Sequence, residues 1–180
     1  MTPLHEIVSS LNTPRYAVLD AARSDQVLVE LARSQLDHRS LYEGSAHQQF
    51  RTVAPYLVAL EPDHPGVDKL LHRGQGNAWG IVLGTKASFD DTRRHLRKLL
   101  KVELEGRAKA VYFRFYDPRV LREFLPTCDA SQLERFFGPI SFLLCESEQP
   151  GETICFMLDR GALVETRMDS KGSPPLPAQS

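Results

Sequence analysis

The sequence predicts a single α/β domain: a mixed β-sheet of about five or six strands, helices packed on it, and a C-terminal hairpin. Three observations carry that expectation. Short apolar runs are followed by segments of helical period, several of those segments open on a capping residue, and a Pro-Gly turn separates two late apolar runs. The domain is expected to span residues 1–163, with 164–180 a flexible polar tail.

Taken in order, a short helix is expected near Leu4 to Leu11, and Tyr16 to Leu19 reads as a strand. The next segment places Leu28, Leu31, Ala32 and Leu36 at helical spacing, with Ser24 or Asp25 available as the cap. Ser40 to Gly44 reads as a short strand ended by glycine. Val53 to Leu60 is apolar enough for a strand or a buried connection, and Pro55 near its start favours an edge or an irregular beginning. Pro65 suits the first turn of a helix through Leu71, capped by Asp63 or His64.

The run WGIVLG then reads as a strand, and Ser88 with Asp91 opens a helix carrying Phe89, Leu96, Leu99 and Leu100 on one stripe. In Lys109 to Phe115, Val111, Phe113 and Phe115 alternate with Tyr112, Arg114 and Tyr116, which predicts a central strand. Asp117 followed by Pro118 is a helix start, because the carboxylate accepts from first-turn amides and proline needs no partner for its nitrogen. Two short helices, PRVLREFL and SQLERFF, follow. ISFLLCE and TICFML then form an antiparallel hairpin across Gln149-Pro150-Gly151.

A chain of 180 residues can bury roughly 70% of its unfolded surface. With 22 basic against 23 acidic residues it exerts no long-range pull on nucleic acid or an anionic membrane, and neither is expected as a partner. The three cysteines contain no CxxC pair, which argues against a disulfide framework or a zinc ribbon and for a reducing compartment. No segment approaches the ~20 apolar residues of a membrane span, so the expected location is the cytoplasm.

Chemical motifs are sparse. The glycines of HRGQGNAWG precede a strand, whereas a dinucleotide-binding loop must follow one, so they read as a turn. VLGTKAS lacks the spacing of a phosphate loop, although Lys86 stands where an anion could meet a helix start. Arg93, Arg94, Arg97, Lys98 and Lys101 surround one helix without interleaved aromatics, which suits a solvated face. The six histidines show no metal-ligand spacing and no GxSxG occurs. Arg114 and Tyr116 remain, either as a structural pair with a nearby acid or as part of a partner surface.

YAVLDAAR at 16–23, LYEG at 41–44, VAPYLVAL at 53–60, WG at 79–80, HLRKLLKV at 95–102, FRFYDPRVL at 113–121 and FFGPI at 136–140 follow one another in this order. Together they resemble the bacterial effector adaptors of type VI secretion systems, the Tap/Tec type, long labelled a domain of unknown function. The resemblance implies a non-enzymatic chaperone without cofactors that binds a toxic effector and loads it onto the spike protein of the valine-glycine-repeat class. It transfers no catalytic residues. Arg114, Tyr116, Arg119, Phe136 and Phe137 are of the chemical kind that anchors protein partners. The competing expectation is a small enzyme or anion-binding protein using Arg114, Tyr116 and Lys86.

Overall fold

The computed structural model describes residues 13–102 and 111–168. The helix expected near Leu4 to Leu11, the first part of the strand expected from Lys109, and everything after Met168 lie outside the described residues. The strands are β1 (Arg15–Asp20), β2 (His38–Ser40), β3 (Pro55–Ala59), β4 (Gly80–Thr85), β5 (Lys101–Val102), β6 (Val111–Tyr112), β7 (Ile140–Glu146), β8 (Thr153–Asp159) and β9 (Ala162–Met168). The helices are α1 (Asp25–Ser34), α2 (Gly44–Phe50), α3 (Pro65–Gly74), α4 (Phe89–Leu99), α5 (Pro118–Phe124) and α6 (Ala130–Phe137).

Seven strands form one sheet in the order β2-β3-β1-β4-β7-β8-β9, and β5 pairs with β6 in a separate short ladder. The α/β class stands, with one strand more than expected. The mixed sheet does not, because every pairing is antiparallel. The pairing itself shows why. β1 and β2, joined through α1, run in the same direction, but β3 is inserted between them; β3 and β4, joined through α3, are likewise separated by β1. These two helical crossovers therefore link strands of one direction without making them neighbours.

Helices cover both faces. Ala17, Leu19, Val58, Val82 and Leu144 meet Val27 and Leu31 of α1 and Val67, Leu70 and Leu71 of α3. On the other face Tyr16, Val18, Leu57, Ile81, Leu83 and Leu143 meet Leu96 of α4, Leu121 of α5 and Leu133, Phe136 and Phe137 of α6. This explains why all six residues of β1 are buried. The caps follow the sequence: Ser24 accepts from Gln26 N, His64 from Gly66 N, and Ser88 from Asp91 N, with Pro65 in the first turn of α3.

Four expectations are corrected. Ser40 to Gly44 is not a strand, since the ladder ends at Ser40 and Gly44, at φ 57°, opens α2. Pro55 begins β3 without making it an edge: β2 lies outside it, and proline is tolerated because it is the first residue of the strand. Of the described part of the central strand expected over Lys109 to Phe115, Val111–Tyr112 alone is strand, as β6. Asp117 N donates to the Arg114 carbonyl in a turn, so the alternating aromatics pack under α5 and α6 instead of entering the large sheet. Finally, Val164–Met168 belongs to β9 and not to a flexible tail. A polar strand needs little burial of its own when a hairpin supplies its backbone partners, and β8 supplies them along seven residues.

Candidate functional site

The carboxyl end of β1 holds the buried Asp20, and the buried Asp117 belongs to the segment that its partner Arg114 opens. Asp20 N donates to the Trp79 carbonyl at 2.8 Å, and Ala21 N to the Ala54 carbonyl at 3.2 Å. These bonds turn the chain so that the Asp20 side chain is wholly buried, where Oδ1 accepts from Ala22 N at 3.0 Å. The other oxygen, Oδ2, accepts from Arg114 Nη2. That is the partner of Arg114, and the pair bridges the end of β1 to the segment leading into α5.

Beside it, Tyr116 is buried and its hydroxyl shares a hydrogen bond with Tyr42, whose ring stands edge-on to exposed Tyr112 at 5.4 Å. Burial first, and then the Asp20 charge, push the Tyr116 hydroxyl far above its ordinary pKa, so it stays protonated. For Arg114, burial favours loss of the proton, but the hydrogen bond and charge of Asp20 outweigh it and hold the guanidinium more firmly charged. Asp117 does what its sequence context predicts. It caps α5 through Arg119 N at 3.0 Å, and it also receives Arg119 Nε at 3.0 Å and Nη2 at 2.6 Å.

Burial alone would raise the Asp117 pKa, yet the Arg119 bonds overcome it and hold the carboxyl below its ordinary range. A carboxylate with a depressed folded pKa stabilises the fold above its unfolded pKa of about 3.9 and loses that contribution as pH falls through the lower folded value. Asp117→Ala is therefore expected to cost about 1 kcal/mol near neutrality, through loss of the cap. Melting curves of the wild type and Asp117→Asn are expected to converge in acid; a gap that persists at low pH would remove the ionised cap.

Sequence-predicted residues divide sharply. Arg114, Tyr116, Asp117 and Arg119 come together, with Pro118 in the first turn of α5. Phe136 and Phe137 do not join them on a surface, because both are buried in the core, Phe136 against Phe115 and Phe124 and Phe137 against Phe136. Lys86 is also separated. It follows β4 at the end paired with Arg15, whereas Arg114 grips Asp20 at the opposite end of β1, roughly 17 Å away for six extended residues. The three-residue anion site is thus not assembled.

Other candidates are structurally employed. Gly76 N and Ala78 N donate to the Glu146 carboxylate, which takes the place an anionic ligand would need at that turn. Arg93 and Arg97 bind the two oxygens of Glu43, each at 2.6 Å, and the carbonyls of Ser40 and Leu41, so half of the basic helix clamps the LYEG segment. Burial raises the Cys145 thiol to about 12 and the Cys155 thiol to about 11, which removes their nucleophilic form. Among the described residues no cluster of His, Cys, Asp or Glu could hold a metal, and no helix is long and apolar enough to cross a membrane.

Sequence reasoning missed Asp20 and Tyr42. The available signal was an aspartate closing an apolar strand, and the presence of both residues within the quoted segments. Those segments converge on one sheet end: Asp20 from the first, Tyr42 from the second, the Ala54 and Trp79 carbonyls from the third and fourth, and the Arg114 to Arg119 block from the sixth. The surface they leave outside holds the half-exposed side chains of Arg114 and Arg119 and the exposed ring of Tyr112. Exposed Phe50 and Val53 stand just before β3, whose Pro55 is paired with Asp20.

No curated protein and no solved structure matches the chain significantly. A family model, described as a domain of unknown function (DUF4123), matches residues 15–135, from the first residue of β1 into α6. That match takes in more than half of the chain and every residue of the Asp20 and Asp117 cluster, and on it the chain belongs to the DUF4123 family.

Proposed function

We propose that the chain is a non-enzymatic adaptor that binds a cognate toxic effector in the cytoplasm and loads it onto the type VI secretion spike protein of the valine-glycine-repeat class. One observation carries the reading: five of the seven segments whose order resembles the effector adaptors fold onto a single sheet end, where Arg, Tyr and Phe side chains are exposed. Desolvated aromatic and arginine side chains dominate the energetics of protein recognition. The buried carboxylates of this end are each paired with an arginine and the Tyr116 hydroxyl is held protonated, an arrangement suited to a fixed surface more than to proton transfer. Neither a cofactor nor nucleic acid has a part in this proposal.

The test is co-expression of the tagged chain with the effector and spike proteins encoded beside it, followed by pull-down. Both are expected to be retained, and clean loss of both from the wild type would sink the proposal. Tyr112→Ala is expected to weaken capture of one partner by about 30-fold in Kd, the effect of removing a hot spot of roughly 2 kcal/mol. Among the described residues Tyr112 makes its one ring contact with Tyr42, so the variant should melt close to the wild type.

A further inference from the structure

The two ends of the sheet are treated differently. β2 closes one edge with three residues, whereas β9 presents seven, with no proline, no glycine and an unbroken register against β8. No described strand takes its second edge. Native sheets usually blunt such an edge.

The direction of the backbone groups follows from the hairpin. Arg160 and Gly161 form a two-residue turn with φ of 50° and 81°, so the closing pair Asp159 and Ala162 is hydrogen-bonded to itself across the turn. Ala162, Val164, Thr166 and Met168 therefore direct their N–H and C=O groups to β8. Leu163, Glu165 and Arg167 direct theirs to the open edge.

We propose that β9 pairs antiparallel with β9 of a second copy of this chain, about a two-fold axis at Thr166. In that register Glu165 stands opposite Arg167 of the second copy, twice by symmetry, and the outward backbone groups of both residues meet. Thr166 faces itself, and Val164 faces Met168 of the second copy. Opposite charges, paired threonines and paired apolar side chains all stabilise cross-strand neighbours.

Charge also excludes the neighbouring registers. Sliding by two residues in one direction sets Glu165 against itself, and in the other direction sets Arg167 against itself, and like charges directly opposite are destabilising. Sliding by one residue turns the outward amides of one strand toward side chains and away from acceptors. Charged side chains on an edge commonly prevent pairing. Here the Glu-Thr-Arg order is complementary to its own reversal. Within one copy Arg167 already meets Glu165 of its own strand at 3.0 Å and Glu152, beside the start of β8, at 3.1 Å, so the pairing repeats between strands the Glu165–Arg167 contact made within each. This pairing would join two seven-stranded sheets and leave the Asp20 end of each, several strands away, open to its own partner.

The experiment uses the full chain in a Cys128→Ser background, since Cys128 is the one cysteine among the described residues that is not buried. Light scattering during gel filtration is expected to give twice 20.3 kDa. Arg167→Glu is expected to give the single-chain mass, and the exchange Glu165→Arg with Arg167→Glu to restore the doubled mass, with circular dichroism confirming folding throughout. Mild oxidation of Thr166→Cys should yield a covalent dimer, because opposed Cα atoms at a non-hydrogen-bonded position lie about 4.5 Å apart, while Val164→Cys should not. A wild type of 20.3 kDa at every concentration overturns the proposal. So does a dimer that survives Arg167→Glu and leaves Thr166→Cys uncoupled, which would place the contact on another face, and so does a single-chain species whose β9 edge is covered only when an effector is added.

Discussion

Arg114→Met is expected to destabilise the fold by about 3 kcal/mol, because it leaves the Asp20 carboxylate buried without its cation. The Asp20 side chain is 1% exposed and the Arg114 side chain 45% exposed, so the cost falls on the carboxylate. Solvent around the guanidinium places the figure at the low end for breaking a buried pair. In a domain of this size the loss corresponds to a fall in melting temperature of roughly 6–12 °C. Methionine keeps the aliphatic length of arginine, so lost packing contributes little. The double variant Asp20→Asn with Arg114→Met is expected to be more stable than the sum of the single variants, since it removes both charges together. Additive losses would show that the pair is not coupled.

How legible this site was depends on which interaction fixed each residue. Asp117 and Pro118 were legible because a helix start is local: the cap and the proline act within one turn. The partner of Arg114 was not, because Asp20 lies 94 positions away and no local rule connects them. The same contrast separates the elements. α1, α3, α4 and the β7–β8 hairpin are specified by period, cap and turn within short windows. The aromatic alternation around Phe113 was equally clear, but alternation records only which side chains face inward, and an extended segment crossing beneath two helices satisfies it as well as a central strand. Phe136 and Phe137 show the converse difficulty, since an interface anchor and a core residue share one chemistry and only packing assigns them. β9 escaped because its polarity looked like a tail, while its order comes from a neighbouring strand.

Gly80→Ala is expected to have the second large effect, about 3 kcal/mol, at the upper end for overpacking a core. A Cβ at Gly80 would lie 1.9 Å from the Val18 carbonyl oxygen, 2.9 Å from its carbon and 3.0 Å from Leu19 Cα. All three obstacles are backbone atoms of β1, which is buried along its length and held from behind by β3. The strand has nowhere to retreat, so relief must come from opening the ladder between β1 and β4. That opening loosens the bond from Asp20 N to the Trp79 carbonyl, and with it the carboxylate that holds Arg114. Gly84→Ala provides the comparison. Its Cβ would meet the Phe142 ring at 2.0 Å and 2.2 Å, a side chain that can be trimmed. Gly84→Ala with Phe142→Leu should therefore recover part of the loss in thermal melts. No side-chain substitution in β1 should rescue Gly80→Ala, because the atoms in the way are common to every residue. Rescue by Val18→Ala would contradict this account of why the glycine of the Trp79-Gly80 pair stands beside the Asp20 site.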